Sequence, residues 1–272
     1  LASNIADLIL NYLYRSIIQS YTISLSTKQQ MVKPYENTDT GKKIQVEEMF
    51  DHIAHRYDFL NHFLSLGIDY HWRRKTVKSL LKSKPEKILD IATGTGDLAI
   101  ELYRLLKPEQ ITGIDLSVNM LAIGQKKIES KNLSNSISFQ QADAEKLPFA
   151  NNTFDAVSVG FGVRNFENLE KGVEEMFRVM KNNAQLRVLE FSKPRKGFFQ
   201  WIFTFYFKNI LPRLGKFISG DASAYTYLPK SVDAFPERDL FRNMLQEAGF
   251  KNCRWKEFTF GTCCLYMAEK SL

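Results

Sequence analysis

The densest chemistry in the chain lies at residues 88–99, Ile-Leu-Asp-Ile-Ala-Thr-Gly-Thr-Gly-Asp-Leu-Ala. A short apolar run ends at Asp90 and Ile91, and Gly94 and Gly96 follow it. Glycines at a strand-to-helix turn let a ligand approach the backbone closely. Nineteen residues after Gly96, a second apolar run, Ile111-Thr-Gly-Ile-Asp115, ends in another acid. In a doubly wound sheet that spacing brings a carboxylate to the same crevice, where it accepts hydrogen bonds from two ribose hydroxyls. A third acid lies in Gln141-Ala-Asp143-Ala144-Glu-Lys-Leu-Pro-Phe149, after a third run, where it is placed to bind an adenine amino group. The segment Asn152-Thr-Phe-Asp-Ala-Val-Ser-Val159 then leads to Gly160.

Two cofactors compete for this arrangement. Gly94-x-Gly96-x-x-Ala99 with Asp115 fits the dinucleotide fingerprint, which would make the chain an NAD-dependent oxidoreductase. S-adenosylmethionine also has an adenosine and a ribose but carries no phosphate. Asp90 before the loop would repel a pyrophosphate and attract the methionine ammonium, and Asp143 completes the series of acids, so the order favours S-adenosylmethionine.

Groups able to move a proton cluster upstream. All four histidines, His52, His55, His62 and His71, fall within twenty residues, and histidine is the side chain that titrates near neutrality. His55 and His62 are seven apart and share a helical face with Asp58. Tyr57, Asp69, Arg164 and Tyr225 are further candidates. Arg164, in Phe161-Gly-Val-Arg-Asn165 after the fourth apolar run, is placed either to stabilise a developing negative charge or to pair with a nearby acid.

The elements that position these groups are legible from periodicity. Apolar residues at helical spacing from Val46 to Tyr57, and again from Trp72 to Leu80, predict two helices. Strands are expected at 87–91, 110–114, 136–141, 154–159, 185–191, 250–258 and 263–269, with helices at 97–106, 117–130, 168–181 and 238–248. Alternation with crossover-length helices implies an α/β fold with a mostly parallel sheet. The last two strands have no helix between them and should pair antiparallel. Residues 1–43 read as an N-terminal extension, with Met31 a plausible native start and 32–43 a flexible lead-in. Residues 44–272 read as one domain, with a helical cap at 44–84 and an insertion at 192–237.

The chain has 272 residues, 44% hydrophobic and 25% charged, which excludes collagenous and low-complexity classes. The three cysteines, Cys253, Cys263 and Cys264, form no CxxC, so neither a disulfide framework nor a metal site is expected, and a reducing, cytoplasmic setting is. Net charge is +7, and between Phe191 and Gly220 six basic residues (Lys193, Arg195, Lys196, Lys208, Arg213 and Lys216) meet no acid. That distribution, wrapped around the aromatic run Phe198–Phe207, suggests a hydrophobic mouth on an anionic bilayer. The charge also suits an RNA-binding protein or a nucleic-acid methyltransferase, which would show a dispersed basic groove. A membrane-peripheral adaptor without turnover is a third rival.

At these residues the chain resembles the class I S-adenosylmethionine-dependent methyltransferases, and more narrowly the UbiE/MenG family of quinone C-methyltransferases. The resemblance runs from about Val46 to Lys270. Its most specific pieces are Met49-Phe-Asp-His-Ile-Ala-His-Arg-Tyr-Asp58, Ser65-Leu-Gly-Ile-Asp69 with Trp72-Arg73, Phe161-Gly-Val-Arg-Asn165, Leu189-Glu-Phe-Ser-Lys-Pro194 and Ala224-Tyr-Thr-Tyr-Leu-Pro229. It implies a Rossmann-like class I fold with a seven-stranded sheet, helices on both faces and an antiparallel C-terminal strand. Asp90, Gly94, Thr95, Gly96, Asp115, Asp143, Ala144 and Gly160 are then the expected cofactor residues, and His55, Tyr57, Asp58, Arg164 and Tyr225 the catalytic candidates. The sequence departs from the family pattern at His55, where proline is frequent, at Gly160, where some members have serine, and at Lys181-Asn-Asn-Ala-Gln185, where a changed turn is expected. The implied reaction is C-methylation of demethylmenaquinol to menaquinol, the alternative substrate being the ubiquinone precursor 2-polyprenyl-6-methoxy-1,4-benzoquinol. The implied partners are a prenylated quinol and the inner face of the cell membrane, with no nucleic acid.

Overall fold

The computed structural model describes residues 32–35, 38–195, 197, 200–201, 205, 209 and 223–271. The chain divides into two units, 1–32 and 33–272. The second carries every element below. The extension before Met31, and most of the aromatic run Phe198–Phe207, lie outside the described residues.

Each expected strand forms: β1 (Lys87–Ile91), β2 (Gln110–Asp115), β3 (Ile137–Gln141), β4 (Phe154–Gly160), β5 (Met180–Phe191), β6 (Lys251–Phe258) and β7 (Cys263–Glu269). They form one sheet in the order β3-β2-β1-β4-β5-β7-β6. Pairing is parallel from β3 through β5, and β7 runs antiparallel to both β5 and β6. Helices α1 (Lys42–Leu64) and α2 (Ile68–Lys78) precede the sheet. The crossovers are α3 (Asp97–Leu106), α4 (Val118–Ser130) and α5 (Leu169–Val179), and α6 (Ser223–Ala234) and α7 (Asp239–Glu247) lead into β6.

Both faces of the sheet are covered. Leu98, Ala99 and Leu102 of α3 and Ile128 of α4 pack with Ile88, Ile111 and Ile137 on one face. Val173, Met176 and Val179 of α5 and Phe241 and Leu245 of α7 pack with Leu89, Val157 and Val188 on the other. Strands buried on both faces read as near-continuous apolar runs, which is why β1 and β4 lack polar alternation. A crevice opens where the chain winds away on either side of β1 and β4, at their carboxyl ends.

Three boundaries differ from the sequence reading. Helix α1 starts at Lys42, inside the expected lead-in, because the Glu167 side chain accepts its first N–H at 2.8 Å. The lead-in is itself tied down, with the Tyr35 N–H donating to Gln45 at 2.9 Å. Helix α5 ends at Val179 and β5 begins at once, five residues before the expected 185. There Met180 pairs with Phe154, Gln185 pairs with Ala156, and the intervening asparagines form a bulge with Asn183 at φ 65°. The changed turn is thus a bulge within the strand.

Candidate active site

Two clefts meet at the carboxyl ends of the central strands. The first, of about 720 Å³, is lined by Gly94 of the glycine loop, Asp115 and Ser117 after β2, Asp143 and Ala144 after β3, Gly160 at the end of β4, and Lys43, Glu47, Phe50 and Tyr57 of α1. Asp115 accepts the Gly94 N–H at 2.8 Å and the Ser117 N–H at 3.0 Å. Burial raises its pKa against these bonds. Asp143 accepts from Lys43 Nζ at 2.7 Å and from the Glu145 N–H at 2.9 Å. Five carboxylates line this cleft (Glu47, Asp115, Asp143, Glu145 and Glu167) against one lysine, Lys43.

The two loop glycines serve different ends. Gly94 has φ 56°, and a Cβ added there would meet nothing within 4 Å, so the space beside it is open to a ligand. Gly96 has φ 82°, and its missing Cβ faces the Phe139 ring at 2.6 Å. It is needed for packing α3 onto β3 and does not line the cleft.

Asp90 and Thr95 also turn away from the cleft. Asp90 is fully buried, and its two oxygens accept from Thr93 Oγ1 and Ser158 Oγ, each at 2.6 Å. Burial pushes its pKa up to about 6, against those hydroxyls. It therefore braces the loop from beneath. The Thr95 hydroxyl donates to Asp58 and accepts from Lys127 Nζ at 2.9 Å, which latches α1 and α4 to the loop.

The second cleft, of about 700 Å³, is lined by Met49, Phe50, Ile53 and Tyr57 of α1, Phe161, Phe191 and Tyr227, with Asn61, Ser65, Asp69, Arg73 and Arg164 as its polar wall. Phe50, Tyr57 and Phe161 border both clefts. Arg164 pairs with fully buried Glu190 at 2.8 Å and donates to the Phe161 carbonyl. Its Nε has no hydrogen-bond partner, nor do the Tyr227 hydroxyl and Asn165 Oδ1. Buried polar atoms left unpaired are costly, and all three belong to residues that line a cleft. Burial raises the pKa of Tyr57, of Tyr227 and of Glu190.

The catalytic candidates thus separate. Tyr57 and Arg164 line the aromatic cleft. Asp58 lies on the outer side of the loop, in an ion pair with Lys127. His55 is exposed and lines neither cleft, because helical periodicity turns it away from the face carrying Ile53 and Tyr57. Tyr225 belongs to α6, but its side chain lies outside the described residues. Two turns of chain geometry were not readable from residue types alone: Tyr227 of the same segment reaches the cleft, and Asn165 beside Arg164 faces the first cleft. The repeated tyrosine in Ala224–Pro229 was the available signal for the former. Among the described residues no group of histidine, cysteine and acid could hold a metal.

The pattern of the ubiE/COQ5 methyltransferase family matches residues 37–270. A demethylmenaquinone methyltransferase of Bacteroides fragilis is 47% identical over 89% of this chain and 98% of its own length. A ubiquinone/menaquinone biosynthesis C-methyltransferase UbiE of Geotalea daltonii is 43% identical over 87% of this chain and all of its own. Among solved structures, a SAM-dependent methyltransferase of Thermotoga maritima described as a possible histamine N-methyltransferase aligns with a TM-score of 0.55 and 20% identity, over 82% of this chain and 99% of its own. At that identity the likeness concerns the fold.

Proposed function

Because this chain belongs to the ubiE/COQ5 methyltransferase family, we propose that it methylates a ring carbon of demethylmenaquinol, giving menaquinol, with S-adenosylmethionine as donor. The observation that carries the reading is the meeting of an acidic cleft and an aromatic one at Phe50, Tyr57 and Phe161. The acidic cleft suits an adenosine joined to a cationic amino acid and disfavours a pyrophosphate. That repulsion comes from the lining carboxylates, with Asp90 hidden below them.

When bound, S-adenosylmethionine supplies an electrophilic methyl group on a sulfonium. Asp115 would hold its ribose hydroxyls, Asp143 and Ala144 its adenine, and Asn165 Oδ1 a donor at its other end. Gly94 leaves the room for its close approach. Phe50, Phe161 and Phe191 enclose a flat aromatic ring and exclude water from it. The Arg164 guanidinium and the Tyr227 hydroxyl offer hydrogen bonds to a quinol oxygen, and the cation favours its phenolate form. A phenolate makes the adjacent ring carbon a better nucleophile. The enzyme's task is then to align that carbon with the methyl group.

The quinol's isoprenoid tail calls for contact with a lipid surface. Trp201 and Phe205 support this, being 65% and 49% exposed and stacked 5.9 Å apart in the basic segment. Among the described residues no helix is long and apolar enough to cross a membrane.

The test is direct. Purified protein incubated with S-adenosylmethionine and demethylmenaquinol should yield a singly methylated quinol by mass spectrometry, with the benzoquinol precursor of ubiquinone as the comparison substrate. Calorimetry should show binding of S-adenosylmethionine and none of NAD. Absence of methyl transfer to both quinols, or NAD binding alone, sinks the reading.

A further inference from the structure

Lys42, the first residue of α1, takes no part in the reaction as described, yet it is only 8% exposed. Its ammonium donates to two main-chain carbonyls, of Arg164 at 3.1 Å and of Phe166 at 2.6 Å. Its own N–H donates to Glu167 Oε1 at 2.8 Å. One residue of α1 thus holds a distant segment at three successive points. Burial lowers the pKa of the amine to about 8, aided by Arg164 and opposed by Glu145 and Glu167. The folded state therefore holds this proton less tightly than the unfolded chain does. At pH 7 the buried ammonium costs stability, and the cost is relieved only as pH rises from about 8 toward 10.5. Stability does not explain a lysine at this place.

The segment it holds links β4 to α5 and contains a single turn of 3-10 helix, Val163–Asn165. That turn sends one polar side chain to each cleft, Asn165 to the first and Arg164 to the second. Asn165 Oδ1 and Arg164 Nε make no hydrogen bond within the protein. Their aim is set by the backbone that carries them and, for Arg164, by the pair with Glu190. Three side chains grip this backbone. Glu145 accepts the N–H groups of Glu167 at 2.8 Å and Asn168 at 3.1 Å. Glu190 accepts the Arg164 N–H at 3.3 Å. Lys42 takes the carbonyls. Of the three, Lys42 is the one that ties the turn to α1, whose Phe50 and Tyr57 wall both clefts.

We propose that Lys42 is the positioning residue of this turn, aiming Asn165 at the methyl donor and Arg164 at the quinol oxygen through its bonds to the Arg164 and Phe166 carbonyls. The role rests on the methyl-transfer reading above. Lys42 lines neither cleft, so its effect passes through the backbone. The Arg164 carbonyl belongs to the rigid peptide plane that joins Arg164 to Asn165. A bond to that oxygen therefore fixes the origin of both side chains at once. The bond to Phe166 holds the turn's exit. By these two bonds one ammonium sets the polar groups of the two clefts relative to each other, which in-line transfer between them requires.

The experiment starts from Lys42→Met, which keeps the apolar stem and removes the donors. Its S-adenosylmethionine affinity, read by calorimetry, should fall about 10-fold. Its turnover of a short-tailed demethylmenaquinol at saturating cofactor should fall about 100-fold, with a melting temperature close to the parent's. The control Lys33→Met removes a bond from Lys33 Nζ to the Thr40 carbonyl, 3.0 Å long and away from both clefts, and should match the parent. Two double-mutant cycles separate aim from mere stability. Added to Asn165→Ala, Lys42→Met should cost no further cofactor affinity. Added to Arg164→Gln, whose amide can still donate to Glu190, it should cost no further turnover. The cofactor cycle decides alone if Arg164→Gln does not fold. Losses that simply add in either cycle overturn the positioning role, because a loosened fold penalises every background alike. So does a Lys42→Met variant that binds and turns over like a working parent. A parent that neither binds S-adenosylmethionine nor transfers a methyl group sinks the functional reading, and the role of Lys42 with it.

Discussion

Asp115 shows how one side chain both builds the site and stays available to it. Each of its oxygens accepts one backbone N–H, from Gly94 and from Ser117, leaving lone pairs for the hydroxyls of a ligand. Asp115→Ala should weaken S-adenosylmethionine binding by about 1.5–3 kcal/mol, the range for hydrogen bonds to a charged group. Calorimetry on the folded variant reads this, and parent-like affinity would remove Asp115 from the ligand's contacts. Asp90, one strand away, makes the opposite case. Its folded pKa of about 6 lies above the ordinary 3.8, so the folded state holds the proton more tightly. Stability from this group is then largest below pH 3.8, is lost as pH rises toward 6, and is constant above that. Asp90→Asn keeps the side-chain shape between Thr93 and Ser158 and removes the titration. Relative to the parent, the variant should gain stability across that window in denaturant titrations. A difference that does not change with pH would mean that Asp90 is not protonated there.

At the scale of elements, the glycine loop joins β1 to α3 while α1 closes over it. Lys42 and Lys43 at the start of α1 reach the far rim, where Lys42 Nζ donates to the Phe166 carbonyl at 2.6 Å and Lys43 Nζ to Asp143. Burial lowers the Lys42 pKa to about 8. Further along, Asp51 accepts from Ser117 and from the Asn119 N–H, and Asp58 from Thr95. These contacts make the helix a wall of the first cleft. The loop glycines differ in what they tolerate. Gly96→Ala adds a clash with Phe139 to the strain of φ 82°, and should cost about 1–3 kcal/mol from overpacking alone. Gly94→Ala meets no neighbour, so its cost should be confined to backbone strain, about 1–2 kcal/mol, while the added methyl occupies ligand space. Thermal unfolding should rank Gly96→Ala as the less stable protein. Calorimetry should show Gly94→Ala losing cofactor affinity. The reverse ranking would contradict the packing described for α3 and β3.

For the whole molecule, the excess charge of +7 is unevenly placed. Not all of the basic segment is free to face lipid. Arg195 pairs with Glu257 at 3.1 Å, and Lys193 Nζ donates to the Asp233 carbonyl at 3.3 Å. The exposed rings of Trp201 and Phe205 are the better candidates for lipid contact, with basic neighbours in sequence adding roughly 1 kcal/mol each on anionic membranes. Replacing both rings by alanine should reduce binding to anionic vesicles and turnover of long-tailed quinol presented in them. Methylation of a short-tailed, water-soluble quinol should hold, since neither ring lines the clefts. Equal losses with the two substrates would assign the rings to the fold or the site instead.

Strand positions along the chain, crossovers and the run of acids at strand ends were legible in the sequence because each follows from local pattern. Apolar runs of five to seven residues marked β1 through β4, and Asp115 and Asp143 stand where such runs end. The start of β5 was not legible, since the bulge at Asn183 depends on pairing with β4 and on the N–H of Asn183 donating to the Lys270 carbonyl at 2.6 Å. Nor could residue type say which way a side chain points. Asp90 and Thr95 belong to the same motif as Gly94, yet Asp90 turns into the sheet and Thr95 toward Lys127. His55 and His62 share a helix, yet only His62 meets an acid, because Asp69 and Asp97 come from two other helices that pack beside it. The sequence by itself determined where the strands fall along the chain and the acids at their ends, because backbone pattern is local; the order of the strands in the sheet came from the structure. Which of those side chains face a ligand was decided only in the tertiary structure, because that depends on neighbours distant in sequence, such as Lys43 beside Asp143 and Lys42 beside Glu167.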